Sequence, residues 1–95
     1  MRSFEVKVAG KCYDFVCSSE NTRHGFRHLC DVLDNGYPMM DTARIPYLNR
    51  TWERFQFESV MVKALDALAK HLGITDAERE EARASLRAAG GGIWG

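Results

Sequence analysis

The chain has almost no net charge of either sign and no long apolar run. Its 13 basic side chains balance 13 acidic ones over 95 residues, which gives a formal net charge of zero. Dedicated DNA-binding domains usually carry a clear positive excess, so this composition disfavours that class. No apolar run approaches the roughly 20 residues that a membrane-spanning helix needs, and we therefore expect no membrane partner.

Cysteine is also scarce, and its spacing suits neither a disulfide framework nor a metal site. Cys12, Cys17 and Cys30 are odd in number and form no CxxC pair, whereas secreted disulfide scaffolds have an even count. The first residues, MRSFEVKV, follow a strand pattern and do not resemble a signal peptide. We expect free and mostly buried thiols in a reducing cytosol.

Catalytic and cofactor signatures are missing as well. The run GKCYDF suits a hairpin, and the chain contains no Gly-rich phosphate-binding motif. A zinc site would need His24, His28 and the cysteines to converge, but the sequence offers no closely spaced ligand pair. His28 and Cys30 share one face of a predicted strand, where a role in the core is favoured over nucleophilic catalysis. We predict no metal, no cofactor and no enzyme; an enzyme built on His28 and Cys30 is the least favoured alternative.

What the chain does contain, first, is a strongly alternating N-terminal segment. FEVKVA and CYDFVC alternate with period two around Gly10-Lys11, which predicts a β-hairpin with a type II′ turn. The following pairs then face each other: Val8 with Tyr13, Val6 with Phe15, Phe4 with Cys17, and Lys7 with Asp14. The last of these joins opposite charges across the two strands.

A polar loop over Ser18–Gly25 and a second hairpin around Asn35-Gly36 are predicted next. Pro38 and Pro46 lack the N–H group that a strand ladder uses, so the last strand is predicted to lie at an edge, to be bulged, or both. A simple two-residue register gives these pairs: Phe26 with Ile45, Arg27 with Arg44, His28 with Ala43, and Val32 with Met39.

Two helices follow. The first carries an apolar stripe at helical spacing: Phe57, Val60, Met61, Ala64, Leu65, Leu68, Ala69 and Leu72. Gly73 is placed to end it, and Thr75 with Glu78 forms a capping box for a second helix that reaches about Ala89. The expected fold is α+β: a four-stranded antiparallel sheet of two hairpins, with the two helices packed on one face. It forms a single domain over residues 1–89, with a flexible Gly-rich tail at 90–95.

Arginine with aromatic and polar side chains is concentrated in two segments, TRHGFRH and YLNRTWERF. Residues 23–54 hold five arginines and no lysine, and arginine with Trp and Tyr is enriched at protein–protein contacts. The second hairpin would bring both segments to one end of the sheet. The candidate partner-binding residues are Arg23, His24, Arg27, Arg44, Tyr47, Asn49, Arg50, Trp52 and Arg54. For the arginines structural ion pairing stays open, and for Trp52 a place in the core.

The same two segments resemble a group of small bacteriophage and prophage proteins. These share TR-x-GF-x-H followed by Y-x-NRTWE, and the likeness spans residues 21–61. It implies a mobile-element origin and an accessory role in the cytosol of a host cell. Phage proteins of this size commonly act stoichiometrically on host enzymes, including as inhibitors of CRISPR–Cas nucleases.

The leading hypothesis is therefore a non-enzymatic, phage-type binding protein. It would inhibit a host nucleic-acid-handling defence complex, in the manner of an anti-CRISPR, by docking on a host protein or ribonucleoprotein. The alternative is a small accessory protein that binds nucleic acid directly through Arg23, Arg27, Arg44 and Arg50.

Overall fold

A computed structural model of the chain describes residues 2–23, 25–46 and 53–89. Within these ranges five strands are followed by two helices. Their bounds are β1 Arg2–Val8, β2 Lys11–Thr22, β3 Gly25–Asp34, β4 Tyr37–Pro38, β5 Ala43–Pro46, α1 Glu53–Leu72 and α2 Asp76–Ala89. The strands form one antiparallel sheet in the order β1-β2-β3, and β3 pairs with both β4 and β5 on its far side. The predicted α+β class and the order of sheet then helices are confirmed.

The first hairpin turns one residue earlier than predicted. Its turn is Ala9-Gly10, with φ of 51° and 83°, and two consecutive positive φ values define a type I′ turn rather than type II′. The pairs are consequently Val6 with Tyr13, Phe4 with Phe15 and Lys7 with Cys12. The predicted contact of Lys7 with Asp14 is wrong, because Glu5 lies opposite Asp14. The register moves by two residues, so every side chain keeps its predicted face.

The predicted polar loop over Ser18–Gly25 is mostly strand. β2 continues to Thr22 and β3 starts at Gly25, and Thr22 pairs directly with Gly25. These polar side chains have low intrinsic strand preference, but pairing along the whole of β3 supplies the backbone hydrogen bonds that fix them. The prediction failed because it weighed local propensity and not this tertiary pairing.

The second hairpin forms around Asn35-Gly36 as predicted, but its outer strand is interrupted. β4 follows the simple register, with Asp34 opposite Tyr37. Residues 39–42 then interrupt the strand. In β5 the pairing with β3 is shifted by two residues relative to the simple register, so that His28 lies opposite Ile45 and Arg27 lies opposite Pro46. The predicted pairs of Phe26 with Ile45, Arg27 with Arg44 and His28 with Ala43 are therefore wrong. The last strand does lie at an edge, as expected, because β4 and β5 pair only with β3 among the described strands.

Both prolines occupy positions whose nitrogen points away from the sheet. Tyr37 closes the two-residue turn and bonds to β3, so the next nitrogen, that of Pro38, points outward. In β5 the carbonyl of Arg44 points outward and accepts a hydrogen bond from Lys63 Nζ in α1, at 2.8 Å. Pro46 is two residues further along the same strand, so its nitrogen points outward as well. At the opposite edge, the N–H of Lys7 donates to Ser85 Oγ in α2, at 3.0 Å. The edges thus tolerate proline, and the helices partly cover them.

The helices bury one face of the sheet. α1 packs on β3 and β5, and α2 packs on β1. The buried apolar residues are Val6, Val8, Tyr13, Phe15, Cys17, Cys30, Val32, Ala43, Val60, Met61, Ala64, Leu65, Leu68, Ala69, Ala82 and Leu86. Most of the predicted α1 stripe is among them; Leu72 is half-buried, and the side chain of Phe57 lies outside the described residues.

Local signals fix where the helices end and begin. Gly73 takes φ of 68°, and its N–H donates to the carbonyl of Ala69 at 2.9 Å, as at a glycine that ends a helix. Thr75 and Glu78 then form the predicted capping box. The N–H of Glu78 donates to Thr75 Oγ1 and the N–H of Thr75 donates to Glu78 Oε1, both at 3.1 Å.

Candidate functional site

The sheet has one face that no described element covers. We call it the outer face; it holds the residues of β1, β2, β3 and β5 that alternate with the buried ones. These are Ser3, Glu5 and Lys7 in β1, Cys12, Asp14, Val16, Ser18 and Glu20 in β2, Arg27, Leu29, Asp31 and Leu33 in β3, and Arg44 in β5. All of them are exposed or half-buried, as in an antiparallel sheet with one solvated face.

Two of the predicted arginines lie on the outer face, and a third lies beside it. Arg44 is opposite Leu29, which is two residues from Arg27 on the same face, so the two guanidinium groups are diagonal neighbours. Arg23 is exposed in the turn between β2 and β3, beyond the end of the same face. We call Arg23, Arg27 and Arg44 the basic end. The sheet therefore brings together two of the nine predicted site residues, Arg27 and Arg44, and the turn beyond its end carries a third, Arg23.

Each arginine on the outer face has a local partner that is weak enough to be exchanged. Arg27 Nε lies 3.4 Å from Glu20 Oε1, and the two side chains are 39% and 44% exposed. Arg44 Nη1 donates to the carbonyl of Thr42 at 3.1 Å. Ion pairs this exposed typically contribute about 0–1 kcal/mol, so both guanidinium groups retain donors that a partner can use.

Carboxylates collect toward the opposite end of the outer face. Glu5 and Asp14 are direct cross-strand neighbours, and Asp31 lies on the adjoining strand, where Thr42 Oγ1 donates a short hydrogen bond to its Oδ1. We call Glu5, Asp14 and Asp31 the acidic end. Like charges directly opposite each other destabilise a sheet, and a hydrogen bond between Glu5 and the Cys12 thiol raises the pKa of that thiol on the same face.

Three apolar side chains that the sequence reasoning missed, which we call the apolar strip, lie beside Asp31 in the middle of the outer face. Val16 lies opposite Asp31, whose neighbours two residues away on the same face are Leu29 and Leu33. The three apolar side chains therefore surround Asp31 on β2 and β3, and all are half-buried although no element within the described ranges covers them. A signal was present in the sequence: Val16, Leu29 and Leu33 are apolar at the positions that alternate with the core residues.

The other predicted site residues cannot be placed. His24, Tyr47, Asn49, Arg50 and Trp52 lie outside the described residues, as does the proposed tail at 90–95. Arg54 belongs to α1 by its backbone, but its side chain is not described. The convergence of TRHGFRH with YLNRTWERF therefore stays a prediction.

His28 and Cys30 lie in the core, as the favoured interpretation expected. Both are almost fully buried, and Ser19 Oγ lies 2.7 Å from His28 Nδ1. A hydrogen bond with the Cys17 thiol, together with burial, raises the pKa of the Cys30 thiol far above its ordinary value. Cys30 thus keeps its proton at neutral pH, the opposite of an activated nucleophile. In the described part of the chain, no group of three His, Cys, Asp or Glu side chains is arranged to hold a metal ion.

The helices carry shallow concave surfaces. A shallow groove of about 450 Å³ is lined by Ser59, Val62, Lys63, Asp66 and Arg83. Two arginines of α2 at this groove have carboxylate partners: Arg79 Nη1 lies 3.7 Å from Asp66 Oδ1, and Arg83 Nη1 lies 3.7 Å from Glu80 Oε1.

Comparisons of the chain with protein-family models, curated protein sequences and solved structures give no match. Neither described helix combines the length with the apolar character that a membrane crossing needs. The outer face is therefore the candidate site: it holds a basic end, an apolar strip and an acidic end on a sheet surface that no described element covers.

Proposed function

We propose that the chain is a non-enzymatic binding protein whose outer face docks on a folded host protein. The observation that carries this proposal is the order of side chains across that face. An apolar centre bordered by exchangeable charges is the composition of transient protein–protein interfaces. The partner would present carboxylates opposite Arg27 and Arg44 and a basic group opposite Glu5 and Asp14.

The charge balance of the outer face favours a protein partner over nucleic acid. Its strands carry four carboxylates, from Glu5, Asp14, Glu20 and Asp31, against three cations, from Lys7, Arg27 and Arg44. A surface that follows phosphates needs a continuous positive stripe. Here a phosphate backbone that reached the basic end would meet the acidic end within the same sheet face.

The resemblance to small phage proteins supplies the finer part of the proposal. The protein would act stoichiometrically on a nucleic-acid-handling defence complex of a bacterial host, in the manner of an anti-CRISPR, in the host cytosol. Binding rather than catalysis is supported by the buried, protonated state of Cys30 and by the position of the predicted arginines on an open face.

The test compares two matched double variants. Arg27→Gln/Arg44→Gln removes two cations from the outer face, and Lys70→Gln/Arg83→Gln removes two from the helices. Tagged proteins are used to recover partners from nuclease-treated bacterial extract, and a recovered protein is then purified and titrated. We expect one-to-one binding that the outer-face variant weakens at least tenfold and the helix variant leaves unchanged, because interface arginines often contribute more than about 1 kcal/mol.

Two results would contradict the proposal. Equal binding of the partner by both double variants would exclude the outer face. Binding of duplex or single-stranded DNA or RNA at about 150 mM salt, with steep weakening as salt is added, would instead support direct nucleic-acid recognition. Anisotropy titrations with labelled oligonucleotides distinguish that outcome, because the same arginine variant would then reduce the slope of affinity against salt.

A further inference from the structure

Two of the three cysteines lie directly opposite each other inside the sheet. Cys17 in β2 pairs with Cys30 in β3, and both are fully buried and reduced. Cys12 is exposed on the outer face, which is the other side of the sheet. The buried cysteines occupy the core face next to the His28–Ser19 pair. Neither thiol has a part in the proposed docking surface.

The register decides how close these two residues come. The turn between β2 and β3 has two residues, so its closing pair, Thr22 with Gly25, is a hydrogen-bonded pair. Hydrogen-bonded and non-hydrogen-bonded pairs alternate along an antiparallel ladder, so an odd number of residues between two positions changes the pair type. Cys17 is five residues from Thr22. Cys17 and Cys30 are therefore a non-hydrogen-bonded pair, with a Cα separation of about 4.5 Å.

A backbone hydrogen bond on the other side of β3 independently supports the assignment of Cys17 and Cys30 as a non-hydrogen-bonded pair. The N–H of Met39 donates to the carbonyl of Val32 at 2.9 Å, so Val32 points its backbone groups away from β2, and Cys30, two residues earlier, does the same. A separation of about 4.5 Å lies inside the range of about 4.4–6.8 Å that disulfides span. The pair can close without a shift of either strand.

We propose that Cys17 and Cys30 form a reversible dithiol–disulfide couple that reacts with low-molecular-weight disulfides such as glutathione disulfide. One thiol loses its proton and attacks the glutathione disulfide, which forms a mixed disulfide and releases one glutathione. The second thiol loses its proton and attacks the protein sulfur of the mixed disulfide, which releases the second glutathione. Two protein thiols are oxidised and one glutathione disulfide is reduced to two thiols.

Burial makes the couple respond to opening of the sheet. The raised pKa of the Cys30 thiol and the lack of solvent access slow thiol–disulfide exchange in the closed protein. Separation of β2 from β3 exposes both thiols, and re-pairing then presents the second sulfur to the mixed disulfide. The bond would tie together the two strands that carry Glu20 and Arg27.

The experiment uses Cys12→Ser, which removes the exposed thiol, and Cys12→Ser/Cys30→Ala, which also removes the second sulfur of the pair. Both are equilibrated with mixtures of reduced and oxidised glutathione, in native buffer and in concentrated urea, and are then acid-quenched for intact-mass and peptide analysis. We expect Cys12→Ser to lose the mass of two hydrogen atoms and to yield a peptide that links β2 to β3. Cys12→Ser/Cys30→Ala should stop at the mixed disulfide.

Each equilibration gives an equilibrium constant for closing the Cys17–Cys30 disulfide, one in native buffer and one in urea. The ratio of these two constants tests the geometry of the pair. A disulfide that closes a loop of this length is expected to favour the folded state by about 100-fold, so closure in native buffer should exceed closure in urea by about that factor. Equal or weaker closure in native buffer would overturn the proposal, and so would accumulation of the mixed disulfide on Cys12→Ser or complete absence of reaction. None of these outcomes depends on the proposed partner.

Discussion

The Ala9-Gly10 turn gives the sharpest quantitative test of the structure. Ala9 holds φ of 51° and Gly10 holds 83°, nearly the same values as Asn35 and Gly36 in the second turn, at 50° and 87°. A left-handed conformation costs an ordinary L-residue roughly 1–2 kcal/mol, and asparagine much less. Ala9→Asn makes the first turn chemically equal to the second, so we expect it to raise the free energy of unfolding by about 1 kcal/mol.

Urea unfolding followed by circular dichroism measures the effect. With a slope of about 1–3 kcal/mol per molar urea, the midpoint should rise by roughly 0.5 M at unchanged slope. Asn35→Ala is the matched reverse change and should lower the midpoint by a similar amount. If Gly10-Lys11 formed the turn instead, Ala9 would be a strand residue; Ala9→Asn would then destabilise the protein, and that sign would refute the type I′ assignment.

Three further predictions concern the helices and the core. Leu86→Ala should lower the free energy of unfolding by about 2–5 kcal/mol, because Leu86 is 1% exposed where α2 packs on the sheet; thermal unfolding measures it, and a loss below about 1 kcal/mol would contradict that packing. Ser85→Ala removes the acceptor of the Lys7 N–H and should cost about 1 kcal/mol, with faster amide exchange at Lys7 by NMR. The ordinary thiol pKa is 9.0, and above that pH the unfolded chain loses the Cys30 proton while the folded chain keeps it. The free energy of unfolding should therefore fall by up to about 1.4 kcal/mol per pH unit. Urea midpoints measured on either side of pH 9.0 should depend less on pH in Cys30→Ala than in the unchanged protein.

Alternation in the sequence was enough to assign the faces of the strands, but not their register. Val6, Val8, Tyr13 and Phe15 are buried as predicted, although the registers of the first hairpin and of β5 moved by two residues. A shift of two leaves every side chain on its face, so hydrophobic pattern alone cannot detect it. The deciding features were the positive φ of Ala9 and the interruption at residues 39–42, which follow from backbone geometry and not from residue type.

The candidate site was predictable in its chemistry more than in its position. Arginine content pointed to recognition, and Arg27 and Arg44 do share one face. The predicted direct pairing of Arg27 with Arg44 is absent, because the strand interruption shifts Arg44 to face Leu29. The acidic end and the apolar strip were missed, because Asp14, Asp31 and Val16 become neighbours only once the three-strand register is known.

The edge positions of the prolines restrict how the molecule can assemble. An incoming extended peptide that tried to lengthen the sheet beside β4 and β5 would find no donor at Pro38 or Pro46 and an acceptor at Arg44 already held by Lys63. Polymerisation by strand addition is therefore disfavoured on that side, which should help the chain to stay dispersed at high concentration. If the outer face docks on a partner as proposed, this blocked edge keeps further copies of the chain from adding to the sheet beside that face.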